Sequence, residues 1–150
     1  MQDLKIALIQ AEIVWEDQAA NLERFRERIA QVPSDVDLIV LPEMFSTGFS
    51  MEAGRLAHTM NGPAIAWMQS RSRETRADIT GSLIVAEDGR FYNRLIWAKP
   101  DGSIRSYDKK HLFRYAGEQE VYTAGNRHLL VTCHGWRIRP FVCYDLRFPI

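Results

Sequence analysis

Three side chains capable of nucleophilic or acid–base chemistry stand where predicted strands end. Glu43 follows the apolar run Asp37–Leu41, Lys109 follows a later predicted strand, and Cys143 ends the strand-like segment Arg139–Cys143. In open α/β sheets, sites form beyond the carboxyl ends of the strands, so these three side chains are expected to meet. Taken singly, each has an ordinary interpretation as a loop acid, a surface lysine or a core cysteine. Their shared position instead predicts a nucleophilic site.

The chemistry of the three side chains is coherent. A free thiol has a pKa of about 8.5, so the reactive thiolate is a minority at neutral pH. A nearby ammonium favours the thiolate, and a carboxylate can accept the thiol proton and later return it. Lys109 could also stabilise the oxyanion of a tetrahedral intermediate, together with the backbone N–H of Tyr144. The residue types therefore suit covalent catalysis by Cys143 with Glu43 as the proton carrier.

The residues around these positions form three short segments. They read Leu41–Phe45 (LPEMF), Tyr107–Phe113 (YDKKHLF) and Cys143–Pro149 (CYDLRFP). In sequence and in order they resemble the three signature segments of the carbon–nitrogen hydrolase (nitrilase) superfamily. The resemblance implies catalytic roles for Glu43, Lys109 and Cys143.

For two of the residues implied by the resemblance, the lysine and the second glutamate, the sequence offers two nearby candidates. The lysine of the superfamily stands two residues before the histidine of a His-Leu pair, which selects Lys109, whereas Lys110 occupies a position where an apolar residue is common. The superfamily also carries a second glutamate in the following loop. Glu118, seven residues before Gly125, fits that spacing better than Glu120. The resemblance thus implies Glu118 as a fourth catalytic residue.

A closer resemblance is to the bacterial omega-amidases. It rests on the segments Met44–Phe49 (MFSTGF), Tyr92–Trp97 (YNRLIW) and Phe113–Glu118 (FRYAGE). It implies hydrolysis of the terminal amide of 2-oxo acid amides, such as 2-oxoglutaramate and 2-oxosuccinamate, through a cysteine thioester with release of ammonia. The implied partners are a small-molecule amide and water, without a cofactor, and the implied assembly is a homodimer.

The same segments supply the candidates for substrate binding. Tyr144 offers its backbone N–H, and the resemblance adds the aromatic residues Phe45 and Phe113. A 2-oxo acid amide carries a carboxylate, so a cation is expected in the pocket. Arg114, which follows the His-Leu-Phe segment, is the candidate, and a solvated loop arginine is the alternative.

Other functions are compatible with these residues. The same nucleophile and base could serve an N-carbamoyl compound, another amide or a nitrile. A non-catalytic fragment that kept the signature segments is the alternative from a different class. No metal site is expected, because the four histidines have no ligand-like spacing with the cysteines.

Composition and charge narrow the class of protein. Hydrophobic residues make up 46% and charged residues 25%, and nineteen basic residues balance nineteen acidic ones, so nothing indicates nucleic-acid binding. No apolar run approaches the roughly 20 residues that span a bilayer, and a cytoplasmic location is expected. In the predicted hairpin, Cys133 and Cys143 lie roughly 23 Å apart at about 3.3 Å per residue, so both are predicted to be free thiols.

The elements that must position the site follow from apolar patterns and turn residues. The length suits one domain over residues 1–150. Strands are predicted at 4–10, 37–41, 79–85, 91–98, 104–109, 129–133 and 136–143, and helices at 18–31 and 63–76. Asp17 is the predicted cap of the first helix, and residues 42–61 are predicted to be a loop. Together these elements predict an α/β domain with a mixed sheet.

The fold implied by the resemblance is larger than this set of elements. The superfamily fold is an αββα sandwich, and its later strands and helices have no counterpart in these 150 residues. We therefore expect the chain to correspond to the N-terminal part of that domain, with the C-terminal portion missing. We also expect residues 1–150 alone to be inactive.

Overall fold

A five-stranded mixed sheet forms the centre of the protein in a computed structural model that describes residues 3–148. Its strands, in spatial order, are β1 (Ile6–Leu8), β2 (Leu38–Val40), β3 (Asp78–Glu87), β4 (Arg90–Ala98) and β5 (Ile104–Asp108). β1, β2 and β3 run parallel, whereas β3, β4 and β5 pair antiparallel. A separate hairpin consists of β6 (Val131–Cys133) and β7 (Trp136–Ile138). The predicted mixed sheet is therefore present.

Helices connect and cover the strands. They are α1 (Gln18–Ile29), α2 (Ala53–Leu56), α3 (Pro63–Thr75) and α4 (Glu118–Val121), and 3₁₀ turns span Arg114–Ala116 and Cys143–Arg147. The Asp17 carboxylate caps α1 as predicted, because its Oδ1 accepts a hydrogen bond from the Ala20 N–H at 2.9 Å. Pro63 opens α3, where its missing N–H is not needed.

Both faces of the central strands β2, β3 and β4 are largely buried. On one face, Phe25 of α1 and Met68 of α3 pack against Ile39 and Ile79. On the other face, Leu38 and Trp97 pack against residues of the β6–β7 hairpin. Burial on both faces explains why β2 reads as a continuous apolar run.

The predicted strand at 136–143 is wrong in its second half. β7 ends at Ile138, residues 139–142 are irregular, and Cys143 starts a 3₁₀ turn. Pro140 contributes to this result because it has no N–H to donate to a strand ladder. Cys143 therefore sits at the start of a turn and does not end a strand.

Smaller differences concern the loop and the ends of the chain. The predicted loop at 42–61 contains the single-turn helix α2, too short to leave a pattern in the sequence. Both cysteines are free, with Cys133 buried and Cys143 exposed. Among the described helices, none is long and apolar enough to cross a bilayer. Pro149, the last residue of the CYDLRFP segment, lies outside the described residues.

Candidate active site

Backbone hydrogen bonds of the sheet fix the positions of Glu43 and Lys109. The Lys109 N–H donates to the Asn93 carbonyl at 2.9 Å, which extends the pairing of β4 and β5 by one residue. Met44, directly after Glu43, has a left-handed φ of 47°, and its N–H donates to the Ser82 hydroxyl at 2.8 Å. Both side chains thus leave backbone segments that are held by neighbouring strands.

Glu43, Lys109 and Glu118 form a buried cluster of charges. The Lys109 side chain is fully buried, and its Nζ lies 2.8 Å from Glu43 Oε1 and 2.9 Å from Glu118 Oε2. The ammonium also lies 5.3 Å from the centroid of the Phe49 ring. Lys110 points elsewhere and lines an adjacent cavity. The geometry places Lys109, and not its neighbour, between the two glutamates.

Glu118 is the most enclosed member of the cluster. It is fully buried at the start of α4, and its Oε2 accepts a hydrogen bond from the Phe113 N–H at 2.6 Å. Glu120, the alternative considered from the sequence, is exposed. The structure therefore places Glu118 with Glu43 and Lys109.

Lys109 remains an ammonium in this surrounding. Burial, the largest single influence, lowers the pKa of Lys109, but hydrogen bonds and charge attraction from Glu43 and Glu118 outweigh it and leave the pKa raised. A positive charge is therefore maintained between the two glutamates, near the Cys143 thiol.

Cys143 has the exposure and backbone conformation of a presented nucleophile. Its φ of 46° lies in the left-handed region, which is unusual for a residue with a side chain, and the residue is exposed. Although the residue is exposed, partial burial of its thiol raises the pKa of Cys143, and the negative charge of Glu43 raises it further. The positive charge of Lys109 offsets these two effects only in part. The resting residue is thus a neutral thiol that needs a base.

Asp145 holds the turn that presents Cys143. This fully buried carboxylate accepts hydrogen bonds from the Val142 N–H at 3.1 Å and from the His111 N–H at 2.8 Å. It also accepts from the Tyr107 hydroxyl at 2.9 Å, and burial, with the carboxylate as a further cause, raises the pKa of that hydroxyl. Sequence reasoning missed Asp145, although its place two residues after the nucleophile was a usable signal.

Asn93 is a second residue that the sequence did not reveal. It lies in the middle of β4, is 1% exposed, and its Nδ2 lies 2.7 Å from Glu43 Oε1 and 3.0 Å from Glu118 Oε1. A neutral amide inside a strand carries no pattern that distinguishes it from an ordinary core polar residue. Its contacts become visible only in the structure, where β4 lies beside the segments that carry Glu43 and Glu118.

A cavity of about 600 Å³ lies along the segments that follow Lys109 and Cys143 in the chain. Arg114, Tyr144, Lys110 and His111 are among its lining residues. Phe113 packs against the Tyr144 ring at 5.2 Å between centroids and so supports its wall. The sequence candidates Arg114 and Tyr144 thus line one cavity, Phe113 packs behind Tyr144, and Tyr144 directly follows Cys143 in the chain.

Phe45 is not part of this cavity, which corrects the prediction made for it. Its side chain is fully buried on the helical face of the sheet, 5.5 Å from the Phe25 ring and 5.8 Å from the Trp67 ring. The left-handed turn at Met44 directs the next side chain into the core. Phe45 therefore has no surface to offer a substrate.

Within residues 3–148 there is no group of three metal-ligating side chains that could hold an ion. An exposed thiol beside a buried Glu–Lys–Glu cluster, at one edge of an α/β sheet, is the arrangement expected of a cysteine-dependent hydrolase.

The chain belongs to the carbon–nitrogen hydrolase family, whose model matches residues 5–150. It is 42% identical over 150 residues to omega-amidase YafV of Escherichia coli K12 and 27% identical over 147 residues to 2-oxoglutaramate amidase of Bacillus subtilis. The alignments cover 100% and 96% of this chain. The family predicted from the three signature segments is therefore confirmed.

Solved structures agree with this assignment. XC1258 from Xanthomonas campestris, a CN-hydrolase superfamily protein with an arsenic adduct in its active site, matches with a TM-score of 0.96 and 44% identity over 99% of this chain. The match confirms the predicted fold class. This chain covers 56% of that structure and 58% of the omega-amidase from E. coli, so it spans little more than half the length of these relatives.

Proposed function

We propose that this chain supplies the catalytic residues of an omega-amidase, which hydrolyses the terminal amide of 2-oxo acid amides to a carboxylate and ammonia. The observation that carries the proposal is the buried Lys109 ammonium between Glu43 and Glu118, beside the exposed thiol of Cys143. The similarity to omega-amidase YafV and to 2-oxoglutaramate amidase supports the choice of substrate class.

The first half-reaction forms a thioester. Glu43 accepts the thiol proton as Cys143 Sγ bonds to the amide carbon, which gives a tetrahedral oxyanion. The Lys109 ammonium and the Tyr144 N–H stabilise that oxyanion. The C–N bond then breaks, Glu43 donates its proton to the leaving nitrogen, and ammonia departs. Because burial and Glu43 raise the pKa of Cys143, proton transfer accompanies the attack.

The second half-reaction uses the same groups in reverse roles. Glu43 removes a proton from water as the water oxygen bonds to the thioester carbon. The tetrahedral intermediate collapses, the C–S bond breaks, and the proton returns from Glu43 to Cys143. Glu118 keeps the Lys109 ammonium in place throughout, because it contacts Nζ from within the protein at 2.9 Å.

The cavity of about 600 Å³ fits a substrate with a carboxylate. Arg114 and Lys110 place two cations along its wall, and the Tyr144 ring provides an apolar surface. An ion pair between Arg114 and the substrate carboxylate would orient the distant amide toward Cys143. Arg114→Gln should therefore raise KM for 2-oxoglutaramate more than for an uncharged amide of similar size. An equal change for both substrates would remove Arg114 from the proposal.

The test of the proposed function is a panel of substrates with ammonia as the readout. A polypeptide of the relatives' length that contains these 150 residues is assayed with 2-oxoglutaramate, 2-oxosuccinamate, an N-carbamoyl amino acid, a simple aliphatic amide and a nitrile. We expect the highest kcat/KM for the 2-oxo acid amides and no turnover by Cys143→Ala. Preference for another member of the panel would replace the substrate class, and release of ammonia from none would indicate a non-catalytic protein.

A further inference from the structure

The buried amide of Asn93 connects the two glutamates of the site. Its Nδ2 donates one hydrogen bond to Glu43 Oε1 at 2.7 Å and one to Glu118 Oε1 at 3.0 Å. Ionised carboxylates can only accept hydrogen bonds, so the amide must turn its NH₂ group toward both of them. Each of its two hydrogens is then committed to one glutamate.

The opposite atom of the same amide has no partner. Asn93 Oδ1 is one of two buried side-chain nitrogen or oxygen atoms within residues 3–148 that lack a hydrogen bond. A buried acceptor without a partner is destabilising, so the residue is not explained by stability alone. What the asparagine contributes is its pair of donors.

The backbone of Asn93 is held on both sides. It pairs with Ile84 of β3, and its carbonyl accepts the Lys109 N–H at 2.9 Å. The Asn93 side chain therefore leaves a backbone position that is paired with a neighbouring segment on each side. By contrast, Glu43 lies after β2, and its side chain remains 21% exposed. A rigid strand residue thus holds a carboxylate that belongs to a turn.

The contacts of Glu43 are concentrated on one of its two oxygens. Oε1 accepts from both Asn93 Nδ2 at 2.7 Å and Lys109 Nζ at 2.8 Å. The Cys143 thiol also interacts with this carboxylate, both through its charge and through a hydrogen bond. With one oxygen fixed by two donors, the other is the one available to exchange a proton with the thiol and with water.

We propose that Asn93 is a positioning residue that fixes the rotation of the Glu43 carboxylate, so that one oxygen stays bound to the cluster and the other faces Cys143. A lysine in its place would add a second charge, and an aspartate would add a third carboxylate next to one ammonium. A neutral double donor satisfies both glutamates without either effect. The inference rests on the proposed function in one respect, that Glu43 carries the proton.

The experiment compares Asn93→Leu with Thr80→Val, both made in the polypeptide of the relatives' length that is used for the substrate panel. Leucine keeps a similar volume but removes the two donors. Thr80 is another buried polar residue of the sheet, whose hydroxyl donates to the Ile96 carbonyl at 2.9 Å, and Thr80→Val serves as the control for general loss of a buried hydrogen bond. We expect Asn93→Leu to lower kcat about 10- to 100-fold, in line with the effect of misplacing a reacting group. KM should change by less than about threefold, and Thr80→Val should leave both constants near the wild-type values.

A double variant separates positioning from a purely structural role. If Asn93 acts through Glu43, the kcat of Asn93→Leu/Glu43→Gln should equal that of Glu43→Gln alone within about twofold. Multiplicative losses, or a kcat of Asn93→Leu within about twofold of wild type, would overturn the proposal. If Asn93→Leu does not fold, Asn93→Ser is measured by the same criteria.

Alkylation of Cys143 by iodoacetamide gives a readout that needs no substrate. A Glu43 carboxylate that has lost a donor carries a less compensated negative charge, which disfavours the Cys143 thiolate, so the alkylation profile of Asn93→Leu should move to higher pH. The charged groups near the thiol are Glu43, Glu118 and Lys109. In the Glu43→Gln background the displacement should disappear, and its persistence would overturn the inference. If no amide in the panel is hydrolysed but the alkylation results are as expected, the proposed function is rejected. The inferred effect of Asn93 on the Glu43 carboxylate is still supported in that case.

Discussion

The charges around Cys143 predict opposite changes in turnover and in thiol reactivity when Glu43 loses its charge. Glu43→Gln keeps the side-chain shape but removes the proton carrier, so kcat should fall by about 10²- to 10⁴-fold. The carboxylate raises the pKa of Cys143 in the wild type, so its removal should lower that pKa. The thiolate would then form at lower pH, and alkylation at pH 8 should become faster.

The measurement is the iodoacetamide rate between pH 6 and 10, with ammonia release in parallel. Cys143→Ala provides the background from Cys133, which is buried and whose pKa burial raises to about 12. Slower alkylation of Glu43→Gln at every pH would show that Glu43 does not govern the ionisation of the nucleophile.

The two adjacent lysines should differ sharply in their effect on turnover. Lys109→Met removes the ammonium between Glu43 and Glu118 and leaves two carboxylates facing each other, so kcat should fall about 10²- to 10³-fold. Lys110→Met removes a cation from the cavity wall and should mainly affect KM. Steady-state kinetics give kcat and KM for both variants, and thermal unfolding verifies that both are folded. A larger loss of kcat in Lys110→Met would reverse the assignment.

At the level of single residues, sequence identified those with distinctive chemistry and missed those that support them. Glu43, Lys109 and Cys143 were recognisable because they carry reactive groups and stand at the ends of predicted strands, although the strand predicted before Cys143 ends at Ile138. Asn93 acts through hydrogen bonds to segments far away in the sequence, so nothing local marked it, whereas Asp145 was marked only by its place two residues after Cys143. Phe45 was misplaced because the side chain after a left-handed residue can point to either face of the sheet.

At the level of elements, apolar runs and turn residues predicted most of the sheet. The hairpin between β3 and β4 followed from Asp88-Gly89, and both residues have positive φ values, 50° and 71°, as its turn requires. The segment 139–142 was harder to predict. Its composition suits a strand, but a strand also needs a partner, and composition does not reveal one.

The 3₁₀ turn that begins at Cys143 should depend on the buried carboxylate of Asp145. Asp145→Asn retains the shape but replaces one oxygen by a donor, which would face either the Val142 N–H and the Tyr107 hydroxyl or the N–H of His111. The loss of charge-assisted hydrogen bonds should lower the free energy of unfolding by about 1–3 kcal/mol. It should also slow alkylation of Cys143, because the left-handed backbone at that residue loses its support.

Urea unfolding and alkylation of Asp145→Asn can be compared with Asp101→Asn. Asp101 makes a local hydrogen bond with the Ser103 N–H in an exposed turn, so its substitution should change neither property. Unchanged alkylation in Asp145→Asn would mean that the turn holds Cys143 without this carboxylate.

At the level of the whole molecule, the described residues leave large apolar side chains in contact with solvent. Leu8 is 78% exposed, Leu146 67% and Trp15 63%. Within the described residues β1 pairs only with β2, so its other edge is open. Exposed apolar side chains together with an open strand edge favour association between chains. The homodimer expected from the family resemblance would use surfaces of this kind, and it remains a proposal.

These features predict that residues 1–150 alone self-associate and turn over 2-oxo acid amides at least about 100-fold more slowly than a polypeptide of the relatives' length, because a misplacement of about 1 Å at the site is sufficient for such a loss. The comparison is a chimera that joins these residues to the part of omega-amidase YafV that they do not cover. Sedimentation velocity and ammonia release are measured for both proteins, with Cys143→Ala in each as the blank. A monomeric 150-residue protein with the kcat of the chimera would show that the sheet and the Glu–Lys–Glu cluster suffice to align Cys143. Recovery of turnover only in the chimera would show that the alignment depends on packing against elements outside this set.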